Sequence, residues 1–415
     1  MRSLTSSVSG PVWARVALAA LLLSGAVAPA FGVVRPSDIL GDVTVADLPG
    51  EFAAKAPDLG AAAGVLMTSD GRILWSRQAD EERAMASTTK IMTAIVALEN
   101  ADLDDPIVIS ERAATIGEAA ARIRAGATYP LRTLLEAMLV KSGNDASVAV
   151  AEHIGGSVEG FAEIMNEKAR QLGLEHTAFV NPHGLDAPGH YTSAADLATL
   201  ARYAMSNSDF RRMVALEKVV IDGTGGPQEL ENSNVLIGTL EGATGVKTGW
   251  TSRAGYCLVA AAERRGIELF AVVLGTTDEM ERFQQAGLLL EWGFVHFGEE
   301  RLAETGEVLG TLPVADYLDR EIEAVVGVPA VVPVFDLAGE ISRSVTLPDS
   351  VDAPVARGDR MGTLSLVQGG RLIAQVPLIA VEDIRRPSWP ERVWIALVRA
   401  WRSLFGGSPE AVPAS

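Results

Sequence analysis

The stretch Ala86-Ser-Thr-Thr-Lys-Ile-Met-Thr93 places a serine hydroxyl and a lysine amine three residues apart, at Ser87 and Lys90. Apolar residues then recur at the i, i+3, i+4, i+7 spacing of a buried helix, at Ile91, Ala94, Ile95 and Leu98. The spacing predicts both reactive side chains on one helical face, one turn apart. A serine becomes a nucleophile when a base accepts its proton, and burial or nearby positive charge lowers the pKa of a lysine enough for that role. Alone the pattern is weak, because an N-cap serine followed by a surface lysine is its commoner interpretation.

A second polar motif, Ser142-Gly-Asn144, follows a helical run that ends near Lys141. Its hydroxyl can relay a proton to a leaving amine, and its amide can hydrogen-bond a substrate carbonyl. By itself this triplet is typical of a turn.

The third motif, Lys247-Thr248-Gly249, precedes a predicted strand at Gly255–Ala262. Its threonine and lysine can hold a substrate carboxylate at a strand edge, and its glycine lets a peptide backbone approach closely. The N–H groups of Ser87 and Trp250 are then predicted to form an oxyanion hole. The lysine of this motif would also supply the positive charge that lowers the pKa of Lys90.

In this order, the three motifs are the signature of penicillin-binding proteins and class A β-lactamases. The sequence resembles the low-molecular-weight D-alanyl-D-alanine carboxypeptidases, a serine peptidase family of penicillin-binding proteins, over about residues 47–405. Further blocks similar to those of the family are Ser142-Gly-Asn-Asp-Ala146, Asn181-Pro-His-Gly-Leu-Asp186, Gly245-Val-Lys-Thr-Gly-Trp-Thr-Ser-Arg-Ala-Gly-Tyr256, Glu291-Trp-Gly-Phe294, Ala353-Pro-Val-Ala-Arg-Gly358 and Pro377-Leu-Ile-Ala380.

The resemblance implies an α/β, β-lactamase/transpeptidase-like catalytic domain, whose sheet is flanked by helices. A small all-β domain and a C-terminal amphipathic helix would follow. It implies that Ser87 attacks the bond between the two D-alanines of a peptidoglycan stem pentapeptide, that Lys90 is the base, and that Ser142 and Asn144 assist. The residues that it places around the substrate are Lys247, Thr248, Gly249, Trp250 and Arg282.

Water would then hydrolyse the acyl-enzyme, without a metal or cofactor, and β-lactam antibiotics would acylate Ser87 and leave slowly.

One departure from the family pattern concerns the segment before the Lys-Thr-Gly strand, where some family members carry a second basic residue. Here Asn232-Ser-Asn234 has no such charge, so fine substrate preference is left open.

The N-terminus predicts export to the periplasm. Residues 1–30 combine the positive charges of Arg2 and Arg15, the apolar run Val16–Leu23 and the small residues of Ala28-Pro-Ala30, which is typical of a cleaved signal peptide. A retained membrane anchor is the alternative.

The rest of the chain divides into three segments by pattern. Residues 47–300 alternate between strand-like and helix-like patterns, which predicts the catalytic domain. The pattern of residues 303–382 predicts the small all-β domain, with a hairpin turn at Gly369-Gly370. The pattern of residues 388–406 predicts the final helix. Individual predictions are a hairpin over Gly64–Ser76, helices at Leu131–Val140, Ala146–His153, Val158–Leu172 and Ser193–Met205, and strands at Gly255–Ala262 and Leu269–Leu274.

The final helix is predicted to lie on the outer face of the cytoplasmic membrane. Its apolar face comprises Val393, Trp394, Leu397, Val398, Trp401, Leu404 and Phe405. Arg392, Arg399 and Arg402 interrupt the segment too often for a transmembrane span, but suit a helix in an anionic interface. The alternative is a helix packed on the protein's own surface.

Net charge and cysteine content limit the classes of partner and the covalent cross-links that the chain can have. A formal charge of -18 argues against nucleic acid, whose phosphates would be repelled. The single cysteine, Cys257, excludes an intrachain disulfide and lies in an apolar run that predicts a buried thiol.

Four other functions are weighed against the carboxypeptidase. A β-lactamase would need a glutamate to activate water, and Glu163 lies downstream of Ser142, but in a helical pattern that predicts a solvated face. A non-catalytic wall-binding protein conflicts with the complete serine and lysine set, whereas a peptidase that cuts cross-links shares it. A zinc enzyme would need a tight ligand spacing, which the five histidines do not show: His153, His176, His183, His190 and His296. His183 is predicted to make a structural hydrogen bond.

Overall fold

The structure is a computed structural model that describes residues 2–7 and 57–405. Most of the predicted signal peptide, residues 8–30, therefore lies outside the described residues. The described residues form two compact units, one up to Val295, and one from His296 onward that includes Arg2–Ser7. Each unit has its own hydrophobic core.

The helices of the described chain are α1 (Lys90–Asn100), α2 (Glu111–Thr115), α3 (Leu131–Val140), α4 (Asn144–Gly155), α5 (Val158–Gln171), α6 (Ala194–Met205), α7 (Ser208–Val214), α8 (Glu279–His296) and α9 (Trp389–Phe405). The strands are β1 (Arg2–Ser7), β2 (Ala63–Thr68), β3 (Ile73–Arg77), β4 (Pro106–Val108), β5 (Thr128–Pro130), β6 (Lys218–Gly223), β7 (Gly226–Glu231), β8 (Ala243–Thr251), β9 (Gly255–Arg264), β10 (Ile267–Thr276), β11 (Phe297–Ala303), β12 (Val308–Pro313), β13 (Glu321–Val326), β14 (Ala330–Phe335), β15 (Ile341–Leu347), β16 (Arg360–Gln368) and β17 (Arg371–Ala380).

The first unit is built on a five-stranded sheet in the order β3-β2-β10-β9-β8, with every neighbouring pair antiparallel. The sheet joins the predicted N-terminal hairpin to strands that follow about 170 residues later, as the placement of strands at both ends of the segment predicted. One sheet face, with Val65 and Val272, packs in the main core with α1 and α3–α6. On the opposite face, Gly293 of α8 lies directly against Leu66 and Leu269. Helices therefore flank the sheet on both sides.

Most predicted helices are confirmed to within two residues, and two of them, α5 and α6, begin at side-chain caps that are visible in the sequence. The side chain of Ser193 caps α6 by accepting from Asp196 N, and that of Ser157 caps α5 by accepting from Gly160 N.

The prediction that Ser87 opens an α-helix is wrong in detail. Ser87 lies in a single 3₁₀ turn, Ala86–Thr89, that leads into α1. The hydroxyls of Thr88 and Thr89 donate to the carbonyl oxygens of Met85 and Ala86 at 2.7 and 2.8 Å, which favours the tighter turn.

The second unit contains a six-stranded sheet in the order β1-β15-β16-β17-β13-β12 and a separate β11–β14 pair. The hairpin predicted at Gly369-Gly370 is confirmed, since these residues join β16 to β17. Strand β11 begins at Phe297, ahead of the residue 303 at which the pattern predicted β structure. Among the helices of the described chain, none has the length and apolar content needed to cross a bilayer.

Candidate active site

Ser87 and Lys90 meet in the geometry that their spacing predicts. Lys90 Nζ lies 2.8 Å from Ser87 Oγ, 2.8 Å from Asn144 Oδ1 and 2.6 Å from the carbonyl oxygen of His183. The lysine is completely buried at the start of α1. The amide oxygen and the carbonyl oxygen are acceptors, so they can take both hydrogens of a neutral amine, and its lone pair is left for the Ser87 hydroxyl.

The surroundings of Lys90 lower the pKa of its amine well below the ordinary value. Burial is the main cause and the nearby charge of Lys247 is the second; the carboxylates of Asp145 and Glu118 act in the opposite direction. A buried lysine with a lowered pKa can hold a lone pair near neutral pH. Lys90 therefore has the position that a general base for Ser87 would need, and its lowered pKa favours the neutral amine.

Lys247 and Thr248 lie on the edge strand β8 of the sheet. Lys247 is almost fully buried, and burial followed by the charge of Arg282 lowers its pKa to about 7. Lys247 Nζ donates to the carbonyl oxygen of Thr248 at 3.1 Å, and its charge helps to lower the pKa of Lys90, as the sequence analysis expected.

Gly249 brings strand β8 against the turn that carries Ser87. A Cβ atom at position 249 would lie 3.0 Å from Ser87 N and 3.0 Å from Ala86 Cβ, so a larger residue would push the strand away. Arg282 of α8 donates to the carbonyl oxygen of Gly249 at 3.0 Å, which supports the strand from behind. The next residue, Trp250, leaves 52% of its surface exposed.

The backbone is strained at the residue before Ser87 and at Ser142 itself. Ala86 has φ +49° and Ser142 has φ +70°, values that L-residues rarely adopt and that cost about 1–3 kcal/mol each. Ser142 is buried directly before α4. Such strain is concentrated at functional sites because the surrounding structure must hold the residue in place.

Asn144 contacts Lys90 through its side-chain amide. It is the first residue of α4 and is buried; its Oδ1 accepts from Lys90 and its Nδ2 donates to the carbonyl oxygen of Gly117 at 3.1 Å. The amide oxygen thus contacts Lys90, and one of the two N–H groups of Nδ2 is used within the protein. The second N–H group leaves the predicted hydrogen bond to a substrate carbonyl as a prediction.

Comparison with known proteins agrees with this geometry. Residues 50–278 match the family model described as D-alanyl-D-alanine carboxypeptidase. The chain belongs to this family. Residues 297–386 match the model described as penicillin-binding protein 5, C-terminal domain.

Each of the similar proteins described below matches more than half of this chain. D-alanyl-D-alanine carboxypeptidase DacF of Bacillus subtilis is 33% identical, covering 79% of this chain and 86% of its own length. DacC of Escherichia coli is 31% identical over 86% of this chain and 92% of its own. The structure of penicillin binding protein 5 from Haemophilus influenzae has a TM-score of 0.61 with 28% identity, covering 80% of this chain and 99% of its own. The Streptomyces K15 DD-transpeptidase has a TM-score of 0.56 with 32% identity and covers 58% of this chain.

Two parts of this carboxypeptidase family site carried no separate signal in the sequence. The first is the carbonyl oxygen of His183, which contacts Lys90; backbone groups have no residue type to detect. The second is Ser233, whose Oγ lies 2.7 Å from Thr248 Oγ1 and whose N–H donates to Val140 O at 3.0 Å. Ser233 lies in the segment Asn232-Ser-Asn234, which the sequence analysis noted only for its missing charge.

The residues weighed for a β-lactamase or a zinc enzyme, and the single cysteine, lie in environments that do not suit those functions. Glu163 is exposed on α5, as predicted. His183 Nδ1 accepts from Leu185 N at 3.1 Å, the structural hydrogen bond that was expected, and burial is the main reason that its pKa falls to about 3. Across residues 57–405, no three His, Cys, Asp or Glu side chains converge as metal ligands would. Cys257 is buried as predicted, and burial raises the pKa of its thiol to about 11.

Proposed function

We propose that the protein removes the terminal D-alanine from peptidoglycan stem pentapeptides through an acyl-enzyme on Ser87, and that β-lactam antibiotics acylate the same oxygen. The family is that of the D-alanyl-D-alanine carboxypeptidases. The observation that carries the role of Ser87 is its 2.8 Å contact with a buried lysine whose other two partners are acceptors.

In the acylation step, the lone pair of Lys90 Nζ takes the proton of Ser87, and Oγ attacks the carbonyl carbon of the penultimate D-alanine. The resulting oxyanion accepts hydrogen bonds from the N–H groups of Ser87 and Trp250. When the C–N bond breaks, the amine of the terminal D-alanine receives a proton from Lys90, with the Ser142 hydroxyl as the relay. Water then attacks the ester, with Lys90 again as the base, and regenerates the Ser87 hydroxyl.

The substrate carboxylate would bind beside strand β8. Lys247 and Arg282 provide positive charge there, and the hydroxyl pair of Thr248 and Ser233 provides a donor. Arg282 already donates to Gly249 O and to Glu279 Oε1, so its contribution is electrostatic in this conformation. We place catalysis in residues 47–300 and a structural role in residues 303–382.

The test is D-alanine release from a pentapeptide by the wild-type protein and by Ser87→Ala. The wild type should release D-alanine and gain the mass of one penicillin on the peptide that contains Ser87; the variant should do neither. Ser206→Ala, which removes an exposed hydroxyl elsewhere in the first unit, serves as the control and should behave as the wild type. Unchanged release by Ser87→Ala would refute the mechanism. Release from cross-linked dimers at a comparable rate would instead indicate an endopeptidase, and rapid turnover of penicillin would indicate a β-lactamase.

We also propose that the protein is exported through residues 1–30 and lies on the outer face of the cytoplasmic membrane through α9. The apolar face of α9 supports this. Trp389, Trp394, Leu397 and Leu404 expose 71%, 65%, 60% and 76% of their surface, whereas Ile395 exposes 8%. A helix packed on its own protein through this face would bury these residues, so a lipid interface is the better explanation of their exposure.

A flotation assay with neutral phosphatidylcholine vesicles tests this proposal. The double variant Trp394→Gln/Leu397→Gln should lose most of its binding while it retains D-alanine release. Leu372→Gln changes a residue that is 51% exposed on β17 and should leave binding unaltered. Equal flotation of all three proteins would contradict a role for α9. N-terminal sequencing of the protein recovered from the periplasm tests cleavage of the signal peptide.

A further inference from the structure

The loop Asn181–Asp186 contacts two separate parts of the site, the turn that carries Ser87 and the end of strand β8. At one end, Gly184 packs against Ala86 so closely that a Cβ atom would lie 1.9 Å from Ala86 O, and its φ of +93° favours glycine. Asn181 Oδ1 accepts from Gly184 N at 2.7 Å, which holds this end of the loop in shape. The loop is therefore fixed against the residue that precedes the nucleophile.

The other end of the loop holds strand β8 through Asp186. Thr251 Oγ1 donates to Asp186 Oδ1 at 2.9 Å, and Arg253 N lies 3.4 Å from Asp186 Oδ2. Thr251 is the last residue of β8, and its Oγ1 also accepts from Ala254 N at 3.1 Å. The threonine hydroxyl thus connects the loop to the turn between β8 and β9. Its chain neighbour is Trp250, whose N–H is the second oxyanion donor.

We propose that Asp186 is a positioning residue that sets the separation of the N–H groups of Ser87 and Trp250, and thereby the rate of acylation. The inference rests on the proposed function. The two donors are far apart in sequence, so a tertiary connection must hold them at the spacing of one oxyanion. The loop Asn181–Asp186 contacts the segment of each donor, at Ala86 and at Thr251. Oxyanion stabilisation depends on donors that are already in place before charge develops.

Three variants test the connection by pre-steady-state acylation with a chromogenic β-lactam. Asp186→Asn and Thr251→Val should each lower the acylation rate constant by about tenfold, less than the about 10²–10³ that follows the loss of a whole donor. Their non-covalent dissociation constants should change little. Thr251→Ser keeps the hydroxyl and should restore most of the rate. The pH dependence of acylation should keep its midpoint, because Lys90 retains Ser87 and Asn144, and because His183 O lies at the end of the loop that Asn181 and Gly184 fix against Ala86.

Asp196→Asn is the matched control, since Asp196 also accepts from a threonine hydroxyl and a backbone N–H, at 2.6 Å from Thr177 and 2.8 Å from His176 N. It should acylate at the wild-type rate. Failure of the wild type to release D-alanine would refute the proposed function. An active wild type combined with an unaltered rate in Asp186→Asn, or with equal losses in Thr251→Val and Thr251→Ser, would overturn the present inference alone. If Asp186→Asn unfolds at the assay temperature, the two Thr251 variants decide.

Discussion

Lys90 shows how one buried side chain can serve as a base. Burial alone would make a charged ammonium costly, and here the neighbouring charge of Lys247 adds to that cost. The acceptors supplied by Asn144 and His183 satisfy the N–H groups of a neutral amine at 2.8 and 2.6 Å. Burial and the charge of Lys247 therefore favour the neutral amine that the proposed mechanism needs, whereas the acceptor oxygens of Asn144 and His183 can hold either protonation state in place.

This balance predicts opposite pH shifts for two charge-removing variants. Lys247→Gln removes a positive charge that lowers the pKa of Lys90, so that pKa rises and acylation by penicillin should begin at higher pH. Glu118→Gln removes a negative charge that raises the pKa of Lys90, so acylation should begin at lower pH, with the smaller shift of the two. The measurement is the second-order acylation constant as a function of pH. Lys218→Gln, on the exposed strand β6, is the control; shifts of the same sign in both variants would contradict this role of charge.

At the scale of elements, the site depends on strand β8 lying close to the 3₁₀ turn Ala86–Thr89. Hydrogen bonds from the hydroxyls of Thr88 and Thr89 shape the turn, and a glycine shapes the facing strand. Neither element could approach the other with ordinary side chains at the point of contact. The Lys-Thr-Gly motif therefore includes its glycine for a packing reason.

Gly249→Ala should separate these two elements. The added methyl group would lie 3.0 Å from Ser87 N, so the strand must shift and the oxyanion donors move apart. We expect acylation to slow by about 100-fold, and the free energy of unfolding to fall by about 1–3 kcal/mol. Stopped-flow acylation and urea unfolding measure these effects. The control is Gly298→Ala, where no atom lies within 4 Å of the added Cβ atom; wild-type acylation by Gly249→Ala would show that the close approach is dispensable.

At the scale of the whole molecule, the distribution of charge bears on the proposed membrane binding. The chain carries a formal charge of -18. The arginines of α9 were expected to contact an anionic surface. Instead, Arg399 donates to the carbonyl oxygens of Ala315 and Tyr317 in the second unit. Arg402 forms a bidentate pair with Asp319 of the same unit, at 2.9 and 3.0 Å. These arginines therefore dock the helix on its own unit and leave the apolar face outward.

Binding to anionic vesicles should consequently depend little on electrostatic attraction. Raising salt from about 0.1 M to about 1 M shortens the Debye length from about 10 Å to about 3 Å, which should leave the bound fraction unchanged or raise it. Co-sedimentation with vesicles that contain anionic lipid measures this fraction, and a polybasic peptide released under the same conditions is the control. A severalfold loss of the protein at high salt would show that its arginines bind lipid headgroups.

The sequence by itself determined the local features of this protein. Apolar periodicity located α3 with its observed bounds, and turn residues located the hairpin at Gly369-Gly370. The order of three motifs predicted the nucleophile, the base and the substrate strand. These features are readable because they depend on residues close together in the chain, whose spacing reflects backbone geometry.

The tertiary structure decided how these parts meet. The contact of Lys90 with the His183 carbonyl joins residues 93 positions apart, and that of Thr251 with Asp186 joins residues 65 positions apart. Tertiary packing also decided that Asn144 contacts Lys90, that Ser233 pairs with Thr248, and that Arg399 and Arg402 contact their own unit. No sequence period encodes such pairings, because they follow from how the sheet, the helices and the loops pack around shared cores.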